Sequence, residues 1–491
     1  MKYNGIKYCI NVSLVVISVI FGACNSKTSQ QEPILLYCAA GIKPAVAEIA
    51  KKFEKEYNIK IDIQYGGSGT LLSNLRVARQ GDLYIAADQS YMEMAREFGL
   101  LAETQPLAIL SPVIAVKKGN IKNIRIPADL LNQDVNVALG NPGAASIGKL
   151  TKQIFEELQL WEALKEKVTV FKPTVNDVAN DIQLGTVDAG IIWDATAKQF
   201  EALEAIPIEG FHQYQNQITV GVLNYTKQPK EALMFLRYLS SCDRGNPVFE
   251  AHGYIPVKGD KWAVTPEILL FSGGVNRVAV EETIKAFEAR EGVRVTRVYN
   301  GCGILVSQIK AGAKPDAYLS CDVSFMDDVQ SDFTNIENIS STRIVIATQK
   351  GNPLRIESFK DLGKKDLRIG VCNPEQSALG ALTQNMLKRK NIWDDIEPNI
   401  YSQTPTADLL VNQLRTSSLD AVIVYEANLS QVKDKLTMVQ VDDDDALATQ
   451  NFGLGTNSEY PFLTSRLFDA LLEEQSKQRY LENGFHWTNN R

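Results

Sequence analysis

The sequence predicts an α/β protein built as two tandem domains, and three observations predict it. The chain has 491 residues, 45% hydrophobic and 22% charged, which is globular composition at more than one domain's length. A series of short motifs recurs once, in the same order, at an offset of 232 to 234 residues. Within each copy, segments with an apolar residue at every second position alternate with segments of helical period.

Taken in order, residues 1–23 read as an export signal. Lys2 and Lys7 give a positive start, residues 10–21 are mostly apolar, and Gly22-Ala23-Cys24 follows. Small residues before a cysteine resemble the lipobox of bacterial lipoproteins, which implies that Cys24 is lipidated and becomes the new N-terminus. Phe21 stands where that pattern has an aliphatic residue. The alternative is an uncleaved membrane anchor, for which the apolar run is short. Residues 24–32 are polar and read as a tether. Removing residues 1–23 deletes two lysines and no acids, taking the net charge from −7 to −9. The chain has no basic block, which argues against nucleic acid as a partner. An acidic protein that binds an anion must use local donors rather than its overall field.

Residues 33–262 make the first copy. Residues 35–37 read as a strand, and Val46, Ile49, Ala50, Phe53 and Tyr57 form one helical stripe. The run Ile59-Lys60-Ile61-Asp62-Ile63-Gln64-Tyr65 alternates as a strand. Residues 71–79 read as a short helix and residues 83–86 as the next strand. This order predicts parallel sheets covered by helices, with ligands at loops beyond the carboxyl ends of the strands. Loops 39–41, 66–70, 141–148 and 173–176 hold the polar and Gly-rich features.

The most informative loop is Tyr65-Gly66-Gly67-Ser68-Gly69-Thr70, a strand-to-helix turn. Such a turn aims unpaired N–H groups and the positive end of a helix dipole at one point, and Ser68 and Thr70 add hydroxyls. That is an anion cradle. The plain alternative is a Gly-rich turn that binds nothing. A Walker A loop needs a Lys after Gly69, and a nucleophile elbow needs Gly where Thr70 stands, so neither enzymatic motif is present.

Residues 266–491 make the second copy, with the seam near 259–266. The turn recurs as Tyr299-Asn300-Gly301-Cys302-Gly303, and Asp82 and Asp88 recur as Asp316 and Asp322. Asn141-Pro142 recurs as Asn373-Pro374, Pro173-Thr174 as Pro405-Thr406, and Ile191-Ile192-Trp193 as Ile423-Val424-Tyr425. A period this long is a duplicated domain and not a solenoid.

Together these motifs resemble, twice over, the molybdate- and tungstate-binding periplasmic proteins of ABC importers. The resemblance rests on the order of the Gly-Gly-Ser-Gly-Thr turn, Ala87-Asp88, the Val113-Ile114-Ala115-Val116 strand with Lys118-Gly119-Asn120, the Asn141-Pro142 loop, and Asp188 to Trp193. It implies two lobes per copy that close like a hinge on an oxyanion held without cations. In the first copy it implies a site of Gly41, Gly67, Ser68, Gly69, Ser146, Ile147, Val175 and Trp193. Ser68 matches a hydroxyl ligand, and Ile147 and Val175 match backbone N–H donors. Trp193 stands where the family has Tyr, and Gly41 where it has Ser. In the second copy it implies Val275, Cys302, Gly303, Ala378, Leu379, Ala407 and Tyr425. There Tyr425 is kept, but Cys302 replaces the hydroxyl with a poorer donor. The second cleft is then either degenerate or selective for something else.

Other features read as structural. Cys302, Cys321 and Cys372 fall at strand ends with no zinc spacing and read as small core residues; the sharper alternative is a soft-metal or redox site. Asp88 and Asp322 read as helix N-caps, the alternative being a hinge or an acceptor behind the ligand. Trp161 and Trp393 read as packing. His212, His252 and His486 do not recur between copies, which argues against a His metal site or a Ser–His pair in each. The four acids at 442–445 read as a solvated loop.

The resulting expectation is a non-enzymatic, extracytoplasmic solute-binding lipoprotein. Its ligand would be molybdate or tungstate, with no cofactor and no metal. Its partners would be a membrane permease and, through the lipid on Cys24, the membrane itself. A receptor-type module that senses an anion without importing it is the alternative.

Overall fold

The computed structural model describes residues 32–208, 210–441 and 446–489. The expected export signal, Cys24, the tether up to residue 31 and the acidic run 442–445 lie outside the described residues. Among the described residues no helix is long and apolar enough to cross a membrane.

The first copy has two sheets. In the six-stranded one, Ile34–Ala39 pairs parallel with Ile61–Gly66 and with Leu83–Ala86. Asn216–Leu223 then runs antiparallel to Leu83–Ala86, followed by Leu101–Leu110 and Ile255–Pro256. The five-stranded sheet has the order Val168–Lys172, Val137–Gly140, Ala189–Trp193, Pro112–Lys117, Leu203–Ile206. The expected parallel sheets are therefore mixed. Only the βα units run parallel. The strands that carry the chain to the other lobe and back enter their sheet from the opposite end, so they pair antiparallel.

Local chemistry explains the elements that place the loops. Helix Lys43–Tyr57 has Pro44 in its first turn, where no N–H is needed, and buries Val46, Ile49, Ala50 and Phe53. It stops at Asn58, whose φ of 56° is left-handed. Helix Ser68–Ala78 begins at Ser68, before the apolar stripe, because the glycine-rich turn is itself the first helical turn. Asp88 caps Gln89–Glu97 by accepting the Ser90 N–H at 2.8 Å. Asp322 does the same for Ser324 at 3.1 Å, which makes both acids caps as the sequence reading favoured. Trp161 and Trp393 are buried in their cores.

The second copy repeats the plan, with Glu267–Gly273 parallel to Arg294–Asn300 and Ala317–Leu319. One feature differs. The first copy crosses between its sheets at Ser111, between Leu101–Leu110 and Pro112–Lys117. The second has a single strand there, Phe333–Gln349, which pairs with Leu447–Gly455 at one end and Ala421–Tyr425 at the other. Its strands consequently join into one ten-stranded sheet.

A buried ion cluster joins the copies. Glu291 is 1% exposed and accepts from Arg466 at 2.6 and 3.1 Å and from Arg237 at 2.8 Å. Arg466 also reaches Gln105 of the first copy at 2.9 Å. Burial pushes the Glu291 carboxyl up, but the two guanidinium groups outweigh it and hold it below its ordinary value. Asp260 accepts the N–H groups of Phe462 and Leu463 at 2.9 Å each, at the start of Pro461–Leu472 in the second copy.

Candidate functional site

Each copy has a small cavity, about 20 Å³, at matching places between its lobes. In the first copy, helices Ser68–Ala78, Ser146–Glu157 and Val175–Leu184 all begin at it. Ser68 and Ser146 come from different lobes and meet there. The Ser146 hydroxyl donates to the Ser68 hydroxyl at 2.8 Å, and the Ala87 N–H donates to the same oxygen at 3.3 Å. With both bonds accepted, the Ser68 proton is free for a ligand. The Tyr84 hydroxyl donates to the Ser68 carbonyl at 2.8 Å and anchors the turn from below. Ser68 is 2% exposed, and among the described residues none that lines the cavity is charged.

Of the residues singled out in the sequence, Gly41, Gly67, Ser68, Ser146, Ile147, Val175 and Trp193 line this cavity. Gly69 does not. Its N–H donates to the Ala144 carbonyl of the facing lobe at 3.0 Å. The glycines also have a role that the sequence reading missed. A Cβ on Gly67 would stand 2.4 Å from the Ala144 carbonyl oxygen and 2.6 Å from that of Pro173; one on Gly69 would stand 2.7 Å from that of Gly143. The facing backbone reaches the turn only because these side chains are missing. The two lobes are therefore in contact, as in a closed cleft. Ala39, Ala40, Gly66, Ala145 and Thr174, from loops already marked as Gly-rich or polar, and Ala87 complete the lining.

The second cavity is lined by Val275, Leu379, Ala407 and Tyr425 of the expected set, but not by Cys302, Gly303 or Ala378. Cys302 is buried, and its sulfur accepts the Cys321 N–H at 3.0 Å, the thiol counterpart of the Ser68–Ala87 bond. Gly301 and Gly303 repeat the lobe contact: a Cβ on either would stand 2.2 or 2.1 Å from the carbonyl oxygen of Gln376 or Glu375. Tyr425 is 2% exposed, its hydroxyl has no partner among the described residues, and burial raises its pKa. Cys321, Ser377, Thr406, Asp408 and Asn428 also line the cavity and were not anticipated. Reading the repeat position by position would have found three of them, since Cys321, Ser377 and Thr406 lie opposite Ala87, Ala145 and Thr174 of the first cavity, whereas Asp408 and Asn428 lie opposite Asn176 and Thr196, which do not line it. Cys372 is buried as well, and among the described residues no group of three or more His, Cys, Asp or Glu side chains is placed to hold a metal.

A larger cavity of about 580 Å³ opens between the copies. Its main charges are already matched to one another, Arg290 with Glu103 and Arg466 with Glu291.

Paired α/β lobes that close over a small cavity of helix N-termini define a solute-binding protein. The family of bacterial extracellular solute-binding proteins matches residues 34–255 and, separately, 268–486, and the chain belongs to it as two tandem members. It is similar to a putative binding protein of Haemophilus influenzae, 27% identical over 230 residues, which are 47% of this chain and 93% of that protein. It is also similar to the molybdate-binding protein ModA of Mycobacterium tuberculosis, 27% identical over 211 residues, 42% of this chain and 76% of that protein. Among solved structures, the substrate binding domain of a putative molybdenum ABC transporter from Clostridium difficile is 26% identical. It covers 46% of this chain and 99% of its own, with a TM-score of 0.37.

Proposed function

We propose that the first cleft binds a tetrahedral oxyanion, molybdate or tungstate, and that the chain hands it to the permease of an ABC importer. One observation carries this reading: three helix N-termini from two lobes converge on an uncharged cavity faced by Ser68 and Ser146. A dianion leaving water needs every oxygen paired, because buried unpaired charge is costly. Helix N-termini and hydroxyls supply neutral donors, and the dipoles favour negative charge. The molybdate-binding relatives support the choice of ion. The chain works outside the cytoplasm, held by a lipid on Cys24, and it carries its ion without changing it.

The test is calorimetry of the purified chain against molybdate, tungstate, sulfate and phosphate, with Ser68→Ala beside it. A hydrogen bond to a charged group contributes roughly 1.5–3 kcal/mol, so the substitution should weaken molybdate binding about ten- to a hundred-fold. Undiminished molybdate affinity in Ser68→Ala would remove the site from the first cleft.

A further inference from the structure

We infer that the second cleft takes a different class of anion from the first: a singly protonated tetrahedral oxyanion, hydrogen phosphate or hydrogen arsenate. The inference rests on the reading that these clefts bind oxyanions, and it assigns the second one its chemistry.

The frame for an anion is kept. Helices Cys302–Lys310, Ala378–Arg389 and Ala407–Arg415 begin at the second cavity. The buried Tyr425 hydroxyl lines it without a partner among the described residues. A buried donor left unpaired is costly, which points to a ligand as its partner. Two hydroxyl donors of the first cleft are nevertheless gone. Cys302 replaces Ser68 and turns its sulfur to Cys321, and Ala378 replaces Ser146.

One hydroxyl, Ser377, stands where the first copy has Ala145, and an acceptor has been added. Asp408 lines the cavity where the first copy has the neutral Asn176. One Asp408 oxygen accepts from Asn428 Nδ2 at 3.1 Å, and Asn428 Oδ1 in turn accepts the Tyr425 N–H at 3.3 Å. The carboxyl is thus braced by the residue that holds the backbone of Tyr425. Among the described residues no hydrogen bond engages its other oxygen. Asp408 is an exposed residue whose carboxyl end is nonetheless partly buried, so it stands at the mouth rather than the floor. Burial of the carboxyl raises its pKa, while the Asn428 bond and the nearby Arg277 pull it back.

A fully ionised dianion offers only acceptors. Set against Asp408 it meets like charge with no proton to share. A singly protonated ion offers acceptors and one O–H donor. Its acceptors suit the helix N-termini and Tyr425, and its O–H suits the open oxygen of Asp408. An O–H bond to a carboxylate is of the short, charge-assisted kind. The carboxylate's charge opposes hydrogen phosphate as it opposes sulfate or molybdate, but only hydrogen phosphate offsets that repulsion with an O–H bond, so one carboxylate selects by repulsion as well as attraction. The uncharged first cleft, with Ser68 and Ser146, suits the ion that offers acceptors alone.

The experiment titrates the purified full chain with inorganic phosphate, arsenate and sulfate, with and without saturating molybdate. One equivalent of phosphate should bind in both cases, and sulfate should bind this second site about a hundred-fold more weakly. Asp408→Asn should weaken phosphate about ten- to a hundred-fold and bring sulfate within about tenfold of it. Tyr425→Phe should weaken phosphate about tenfold and keep the preference over sulfate. Thermal melts of the free variants check that both fold. The inference is overturned if no phosphate binds, if phosphate binding is lost in Ser68→Ala and kept in Asp408→Asn, or if Asp408→Asn leaves the phosphate-to-sulfate ratio unchanged. Molybdate binding and its response to Ser68→Ala decide the first cleft separately, so either reading can fail alone.

Discussion

Gly67→Ala should leave the fold intact and cripple binding. Gly67 has φ −67° and ψ 142°, which alanine adopts freely, so the turn itself accepts the change. The new Cβ would stand 2.4 Å from the Ala144 carbonyl oxygen, whereas ordinary contact begins at 3.4 Å. Both obstructing atoms, on Ala144 and Pro173, are backbone of the facing lobe and cannot swing aside. The lobes must part by roughly 1 Å at that point. A parting of that size would stretch the Ser146–Ser68 bond from 2.8 Å to beyond hydrogen-bond reach. It would also draw the N-termini of the facing helices off the ligand. Losing even one hydrogen bond to the charged ion, roughly 1.5–3 kcal/mol, lowers affinity about ten- to a hundred-fold. Calorimetry with molybdate reads this directly, and thermal melting gives an independent check. At a molybdate concentration a hundred times the wild-type Kd, the ligand stabilises the wild type by about 2.7 kcal/mol and a hundred-fold weaker variant by about 0.4 kcal/mol. The free proteins should melt together. Wild-type affinity in Gly67→Ala would refute the closed-lobe argument, and a lowered Tm of the free variant would show that the clash lies within a lobe.

Glu291→Gln leaves Arg237 and Arg466 buried without the carboxylate they share and should destabilise the chain by about 3–5 kcal/mol, read by denaturant melts. Because the Glu291 pKa is lowered in the folded state, its contribution is full above the ordinary glutamate pKa of about 4.3 and fades as pH falls below it. Acid melts should show that loss in the wild type and not in Glu291→Gln. Asp88→Ala removes the cap on Gln89–Glu97 and should cost about 1 kcal/mol, measured by the same melts, with molybdate affinity unchanged. Mass spectrometry of the expressed N-terminus should find a lipidated Cys24; an intact Met1 on a membrane-inserted chain would end the lipoprotein reading.

Much of the fold and of the first cleft was legible because the signals are local. Alternation at 59–65 and the stripe from Val46 to Tyr57 each reflect burial of one face, and Ser68 stands on a turn whose chemistry lies within six residues. The antiparallel strands were not legible, since the apolar pattern of Asn216–Leu223 is the same whichever way its neighbour runs. The role of Gly67 and Gly69 was only half legible. A missing side chain looks alike whether it admits an ion or the carbonyl of Ala144, 77 positions beyond Gly67 in the sequence. In the second copy, resemblance pointed to Cys302 because it sits where a ligand hydroxyl belongs, but its sulfur packs against Cys321 instead. Asp408 carried a visible signal, an acid opposite an amide, which becomes meaningful only when Tyr425 and Asn428 are seen beside it.

The unbroken strand of the second copy sets a mechanical difference between the halves. In the first, the crossing residue Ser111 is held by Asp194, whose N–H donates to its carbonyl at 2.9 Å and whose carboxylate accepts its N–H at 3.2 Å. Opening that cleft turns a pivot. In the second, the lobes hang on the 17 residues of Phe333–Gln349, laddered to partners along both halves. Opening it twists a leaf spring, and a spring under load resists in proportion to how far it is bent. Two clefts of one ancestry thus differ in how their lobes are joined, the first through a single residue clasped by Asp194 and the second through an unbroken strand.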